Sequence, residues 1–357
     1  MMDANDELKR LERAREIIRE IIREKGRKNL YDLTGIAGGF EISGEDICIL
    51  ETYIGPALFS EKLNELGIQH LKGDSKLHKA VGFNRTSSAI LATIMALSSH
   101  LNKVVHYVPE KPSHPSIPKS CKIFSLEYFE SDCLDEVLEL IDSKTLTIIT
   151  GATMDHKIVD LETARKIIHH SKENGSIIFM DDASGARLRL LYNQPSALEL
   201  GADLAVTSTD KLMNGPRAGL MGGRKDLIDK IYSMGLKYGL EAQAPILAAM
   251  VNALKSFRLD GLKKAFERAK KIDLHPLEKL GLVCEKTPTG FVIKNFSDEE
   301  SVKIALNLLK NHGIITIAAV GMPGASKTLR IDFCSKDAEV VSNEYIINAI
   351  IDSIIVE

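Results

Sequence analysis

Apolar and polar positions along this chain follow two rhythms, and the changes between them mark its elements. Residues 5–26 repeat with the helical period: Leu8, Leu11, Ile17, Ile18, Ile21 and Ile22 form one stripe, and Lys, Arg and Glu fill the rest. Residues 31–39 (YDLTGIAGG) hold too many glycines for a helix interior and read as a loop reaching toward a site. Residues 56–67 read as a helix. Ala80–Phe83 then runs through a turn into a helix over 89–97 that is apolar nearly all round and so predicted to be buried. Beyond it the rhythm alternates. Short apolar runs at 104–108, 122–126, 145–150, 176–180 and 202–206 read as strands. Helical stretches fall at 134–141, 161–174, 195–200 and 240–257. Such alternation predicts an α/β domain whose mainly parallel sheet is covered on both faces.

From residue 258 the texture changes. A charged helix (258–272) precedes strands near Leu282 and at 291–294, a helix at 299–312, strands at 314–318 and 328–333, and a last helix at 342–355. This is the pattern of a small α+β unit. The expected organisation is a helix-and-loop arm (1–55), a large α/β domain (56–257) and a small carboxyl-terminal α+β domain (258–357).

Composition excludes several classes. A net charge of −3 gives no global field to attract nucleic acid. Cys48, Cys121, Cys133, Cys284 and Cys334 are far apart with no CxxC pair, which points to reduced thiols in a cytoplasmic protein and away from a disulfide or metal framework. The first residues are charged and no apolar run reaches about 18 residues, so neither a signal peptide nor a membrane span is expected. The run 23–28 is basic. It is read as a solvated helix end favoured by the helix dipole, or as a contact for RNA.

Three stretches carry candidate chemistry. Asn84-Arg85-Thr86-Ser87-Ser88 opens a helix. One hydroxyl suffices for an amino-terminal cap; three beside an arginine also suit an anion. Asp181-Asp182-Ala183-Ser184-Gly185 ends a strand. Lys211, in Ser208-Thr-Asp-Lys211 followed by Gly215-Pro216, ends another, where open α/β sheets build their sites. It reads as an exposed loop lysine, or as an amine desolvated enough to form a Schiff base. Pyridoxal phosphate needs these three groups: a helix amino end for its phosphate, a carboxylate for its ring nitrogen and a lysine for its aldehyde.

On these motifs the chain resembles the fold-type-I pyridoxal-phosphate enzymes, and among them the SelA-like (selenocysteine synthase-like) group in its archaeal branch. The resemblance implies a transferase-like fold with a seven-stranded, mainly parallel sheet. It makes Lys211 the cofactor's anchor and Asp181 the partner of its ring nitrogen. Arg85, Thr86, Ser87 and Ser88 would hold the phosphate, with help from Ser208. Asp181 is preferred to Asp182 because the family pattern is Asp-x-(Ala/Gly), and successive strand residues point to opposite faces. His114, in Ser113-His-Pro-Ser-Ile117, is similar in position to a histidine that stacks on the cofactor in related enzymes. It reads as that group, as an acid or base, or as a plain loop histidine. Arg330 is read either as the fork that grips a substrate carboxylate or as a salt-bridge partner of Asp332 or Asp337.

The implied activity is β-elimination or β-replacement on an amino acid or aminoacyl substrate, in a homodimer or larger homo-oligomer. A cysteine-lyase or desulfurase activity, with Cys334 as the candidate thiol, is one alternative. A cofactor-retaining RNA-binding or regulatory protein is the other, and tRNA enters as a partner only there or through an aminoacyl substrate. Two features depart from the family. Only a helix and a loop precede the catalytic domain where tRNA-acting members carry an RNA-binding domain. The strand end at 150–155 also lacks an asparagine for the cofactor's phenolic oxygen, leaving Thr153 or Asp155 to replace it. The stretch 321–328 (GMPGASKT) comes within one residue of a phosphate-binding loop, but it has Ser326 at the second glycine position and precedes a strand. It is read as a loop that covers the site and leads to Arg330.

Overall fold

A computed structural model describes residues 4–36, 39–321 and 326–355. The chain divides into two compact units, residues 38–257 and residues 1–37 with 258–357. The expected arm is therefore split. Its helix Ala4–Lys25 and the short strand Tyr31–Asp32 belong to the unit that holds the carboxyl terminus, and only the stretch from 38 onward belongs to the large unit.

The large unit is built on seven strands: β1 (His78–Phe83), β2 (Lys103–Tyr107), β3 (Glu127–Ser131), β4 (Thr145–Thr150), β5 (Ile177–Asp181), β6 (Leu204–Ser208) and β7 (Gly219–Arg224). Their order is β1-β7-β6-β5-β4-β2-β3. Only β7 runs antiparallel to its neighbours, so the sheet is mainly parallel as predicted. Every residue of β4 and β6 is buried, which is why these strands read as unbroken apolar runs. The edge strand β3 alternates exposed and half-buried positions before ending on buried Ser131. One face packs on the helix Thr86–Leu97 through Ile90, Ile94, Val104, Ile148, Phe179 and Val206. The other packs on Phe59, Leu63, Ile167, Leu247 and their neighbours.

Two expected strands are corrected. Residues 122–126 are not extended: the helix Ser116–Ile123 and a turn occupy them, and the strand follows at Glu127–Ser131. Buried Ile117, Ser120 and Cys121 have the helical period, which the short apolar run Ile123-Phe124 obscures. Residues 314–318 are strand only at Ile314–Ile315, which pairs in parallel with Tyr31–Asp32; a single helical turn, Ile317–Val320, follows.

The small unit carries a three-stranded antiparallel sheet, Cys284–Thr287, Gly290–Ile293 and Leu329–Asp332, with the last two paired. Arg10 of the first helix donates to the carbonyls of Ala318 and Ala319 at 2.8 Å and of Gly321 at 2.7 Å. Lys327 pairs with Glu7 at 3.0 Å. Both described ends of the 321–328 loop are thereby tied to that helix. Residues 322–325 lie outside the described residues, so the expected covering role falls partly on positions the structure does not describe, as does part of the 31–39 loop. A strand, not a helix, follows Thr328, in keeping with rejection of a phosphate-binding loop. Among the described residues no helix is long and apolar enough to cross a membrane.

Candidate functional site

The carboxyl ends of β5 and β6 bring Asp181 and Lys211 to one edge of the sheet. Their backbones are locked by a single buried cation, Arg187. Its Nε donates to the Lys211 carbonyl at 2.7 Å, and its Nη2 donates to the Ala183 carbonyl at 3.0 Å, to Thr207 Oγ1 at 2.8 Å and to the Ser208 carbonyl. Nη1 lies 3.1 Å from His70 Nε2. Burial, with the charges of Arg187 and Lys72, pushes His70 down to about 3 and keeps it a neutral acceptor. The lysine loop also closes on itself: Thr209 Oγ1 donates to the Pro216 carbonyl at 2.7 Å and Leu212 takes the left-handed conformation at φ 57°. A half-buried lysine on so rigid a loop differs from a solvated surface lysine.

Asp181 and Asp182 face opposite environments. Asp182 is fully buried with both oxygens held by the buried Arg189 guanidinium, Nη1 to Oδ1 at 2.9 Å and Nη2 to Oδ2. Asp181 is also buried, yet its Oδ1 has no hydrogen-bond partner among the described residues. Burial raises its carboxyl to about 6, against the opposing pull of the Lys211 charge and with a smaller upward push from Asp182. A buried acceptor without a donor is rare, and it calls for a partner that is not part of the chain.

The helix Thr86–Leu97 begins on the same face. Arg85 occupies its cap position in extended conformation, and no side chain caps the helix, so the hydroxyls of Thr86, Ser87 and Ser88 make no capping bond. The first amides of a helix have no partner within it, and such an end attracts anions. Burial and the neighbouring Arg217 lower Arg85, while Asp210 opposes them. Ser208 Oγ donates to Asp210 Oδ1, and Arg217 Nε lies 3.2 Å from Asp210 Oδ2. Ser208 is thus tied to the loop arginine. Arg217 is a second cation here that sequence reasoning passed over, although it stands inside the Gly-Pro-Arg-Ala-Gly turn.

Gly219 fixes how closely this helix approaches β7. A methyl group on it would lie 2.8 Å from the Arg85 carbonyl oxygen and 2.9 Å from Thr86 N. Gly219→Ala is expected to force the helix start away, at about 1–3 kcal/mol of overpacking, and to weaken anion binding. Thermal denaturation and a phosphate titration check both effects; a variant with native Tm and native anion affinity contradicts them.

His114 precedes the helix Ser116–Ile123. Its Nδ1 accepts the Ser116 amide at 3.2 Å and lies 2.8 Å from Ser116 Oγ. Burial, followed by the charges of Lys211, Arg85 and Lys119, lowers it to about 4. The ring is neutral near pH 7, and because Nδ1 is an acceptor its proton sits on Nε2. The structure therefore places Lys211 within electrostatic reach of both Asp181 and His114, and Arg85 within reach of His114. Thr153 is engaged elsewhere, accepting the Lys157 amide at 3.0 Å across a tight turn.

Arg330 lies in the small unit, buried, with Nη2 donating to the Thr34 carbonyl at 2.8 Å. Burial raises the carboxyl of neighbouring Asp332, and the Arg330 charge opposes that rise. Asp337 instead pairs with Arg27 at 2.6 Å. Burial and Asp332 push the Cys334 thiol far above its ordinary range, the opposite of what a nucleophilic thiol needs.

The family model "L-seryl-tRNA selenium transferase" (SelA) matches residues 149–274, which contain both the Asp181 and Lys211 segments, and the UPF0425 C-terminal domain model matches residues 280–342. A UPF0425 pyridoxal phosphate-dependent protein of Methanococcus maripaludis is 63% identical over 353 residues, covering 99% of this chain and 100% of the relative. Another from Methanothermobacter thermautotrophicus is 46% identical over 364 residues, covering 99% and 94%. Among solved structures, an L-threonine transaldolase from Pseudomonas fluorescens superposes with a TM-score of 0.71 at 16% identity over 96% of this chain and 88% of that one, a likeness of fold. Identity of this extent over nearly the whole length of both chains places the protein in the UPF0425 pyridoxal phosphate-dependent family, with a SelA-like, fold-type-I architecture.

Proposed function

We propose that the protein is a pyridoxal-phosphate-dependent enzyme acting on an amino acid or aminoacyl substrate, with β-elimination or β-replacement as its reaction. One observation carries the reading. A lysine at the edge of the sheet bears on a buried aspartate whose oxygen lacks a donor, beside an uncapped helix amino end with an arginine.

These residues fit the cofactor group by group. Asp181 Oδ1 would accept from the ring nitrogen, a role Asp182 cannot take with both oxygens on Arg189. The amides of Thr86 and Ser87 and the hydroxyls of Thr86, Ser87 and Ser88, with Arg85, would hold the phosphate, the Ser88 amide being turned to the Arg85 carbonyl at 3.1 Å; Ser208 would act on the same end through Asp210 and Arg217. Lys211 Nζ would hold the aldehyde. When bound, the cofactor supplies a sink for the electron pair left at a substrate carbon.

The chain's own residues do the rest. His114 carries its proton on Nε2 and so donates a hydrogen bond instead of taking a proton from substrate. That leaves Lys211 Nζ to move the proton at the substrate carbon. Arg330 is a candidate for a substrate carboxylate on the resemblance alone; within the small unit its Nη2 donates to the Thr34 carbonyl. A desulfurase-like reading needs a reactive thiol; Cys334→Ser is expected to leave turnover unchanged, and a loss of sulfur release in that variant would revive it.

The test is an absorbance spectrum of the purified protein, followed by borohydride reduction and peptide mass spectrometry. Cofactor mass fixed on Lys211 is the expected result. A protein that stays colourless with added pyridoxal phosphate, and gains no mass there, overturns the reading. Spectral shifts with free amino acids, compared with aminoacyl-tRNA, then separate the two substrate classes.

A further inference from the structure

A chain of polar side chains, half-buried at the edge strand and buried further in, runs from the edge of the sheet to the neighbour of Asp181. His106 on β2 is fully buried with both ring nitrogens engaged: Nδ1 lies 2.9 Å from Tyr128 Oη and Nε2 lies 2.8 Å from Thr150 Oγ1. On β3, Tyr128 Oη donates to Glu130 Oε2 at 2.5 Å. The same carboxylate accepts the Ser113 hydroxyl, and the Ser113 amide at 3.2 Å.

The direction of each bond follows from where the chain ends. An ionised carboxylate only accepts. Burial pushes Glu130 upward, but the donors from Ser113 and Tyr128 outweigh it and hold the group below its usual range. Tyr128 gives its one proton to Glu130, so its oxygen accepts from His106 and Nδ1 carries the ring proton. Burial keeps His106 neutral, at about 4, so Nε2 is bare and takes the Thr150 proton. Thr150 is the register partner of Asp181 on adjacent parallel strands, and its side chain leaves the sheet on the same face. With its proton turned toward His106, it has none to give Asp181, whose Oδ1 stays without a donor.

We propose that Glu130 is a positioning residue for the candidate site: its carboxylate pins the His114 segment through Ser113 and, through Tyr128 and His106, turns the Thr150 proton away from Asp181. The consequence for catalysis rests on the cofactor reading above; the order of protons along the chain does not.

Two measurements on the full chain test it. Nitrogen-15 NMR of histidines in the cofactor-free protein is expected to show His106 neutral with its proton on Nδ1. Tyr128→Phe, which keeps the ring shape and removes the acceptor, moves that proton to Nε2, and Glu130→Gln shifts the same resonances. Titration with pyridoxal phosphate is expected to show affinity about tenfold weaker in both variants, the effect of one charged hydrogen bond. A wild-type His106 protonated on Nε2 overturns the proposal. So does cofactor binding of native affinity in both variants when their tautomers have moved. If the wild-type protein takes up no cofactor while His106 behaves as expected, the cofactor reading fails and the proton order stands.

Discussion

Lys211→Ala is expected to lower turnover on the order of 10³-fold or more, because it removes both the covalent anchor and the group that moves the substrate proton. Borohydride should then fix no cofactor mass to the chain. The loop should survive, since Arg187 holds the Lys211 carbonyl and not its side chain. The ligand-free variant offers a second reading. After burial, the Lys211 charge is the next influence on both Asp181 and His114, and it lowers each. Its loss should raise His114 above about 4, and NMR titration of that ring measures the change directly. A variant that still retains reducible cofactor, or whose His114 titrates as in the wild type, would show that Lys211 does not stand at the centre of this site.

Much of this arrangement could be read from the chain before its structure, for physical reasons that differ from part to part. Strands β4, β5 and β6 are buried on both faces, so they appear as short apolar runs, and the chemistry sits where these runs end in Thr150, Asp181 and Ser208. The hydroxyl cluster at 86–88 could be recognised because a helix start needs only one such group. Residues that act through tertiary contacts gave no such signal. Arg187 lies in an unremarkable Gly-Ala-Arg-Leu turn, and only the fold shows that it joins two strand ends. His106 looks like one polar residue in an apolar strand; its meaning comes from Tyr128 and Thr150 on the neighbouring strands. The first helix has an evident apolar stripe, but a stripe does not name its partner. Ala14, Ile17 and Ile21 pack with Leu309 in the small unit, which the order of elements along the chain gave no reason to expect.

Asp181→Asn and Asp182→Asn are expected to fail in opposite ways, and the contrast tests the site more sharply than either variant alone. Asp182 neutralises a buried arginine, and Asn leaves that charge without its counterion. Breaking a buried pair from one side costs about 3–5 kcal/mol, so this variant should melt far below the wild type. Asp181 makes no such ion pair among the described residues, and the Lys211 charge acts on it only against the larger effect of burial. Burial raises its carboxyl to about 6 in the folded protein, from an ordinary value near 4. Below the unfolded value both states are protonated. Between the two values the folded state alone keeps the proton, so stability falls as pH rises through about 6. A rise of this size corresponds to on the order of 3 kcal/mol. Asn at 181 removes that loss, so the ligand-free variant should be at least as stable as the wild type at pH 7 and should lack the decline from pH 4 to 6. Turnover should nonetheless fall on the order of 10²–10³-fold, the effect of losing one preorganised charged contact at a reacting group. Urea melts across this pH range, set beside rates, decide the matter. A destabilised Asp181→Asn variant with intact activity would mean that Asp181 serves the fold and that the ring nitrogen finds its partner elsewhere.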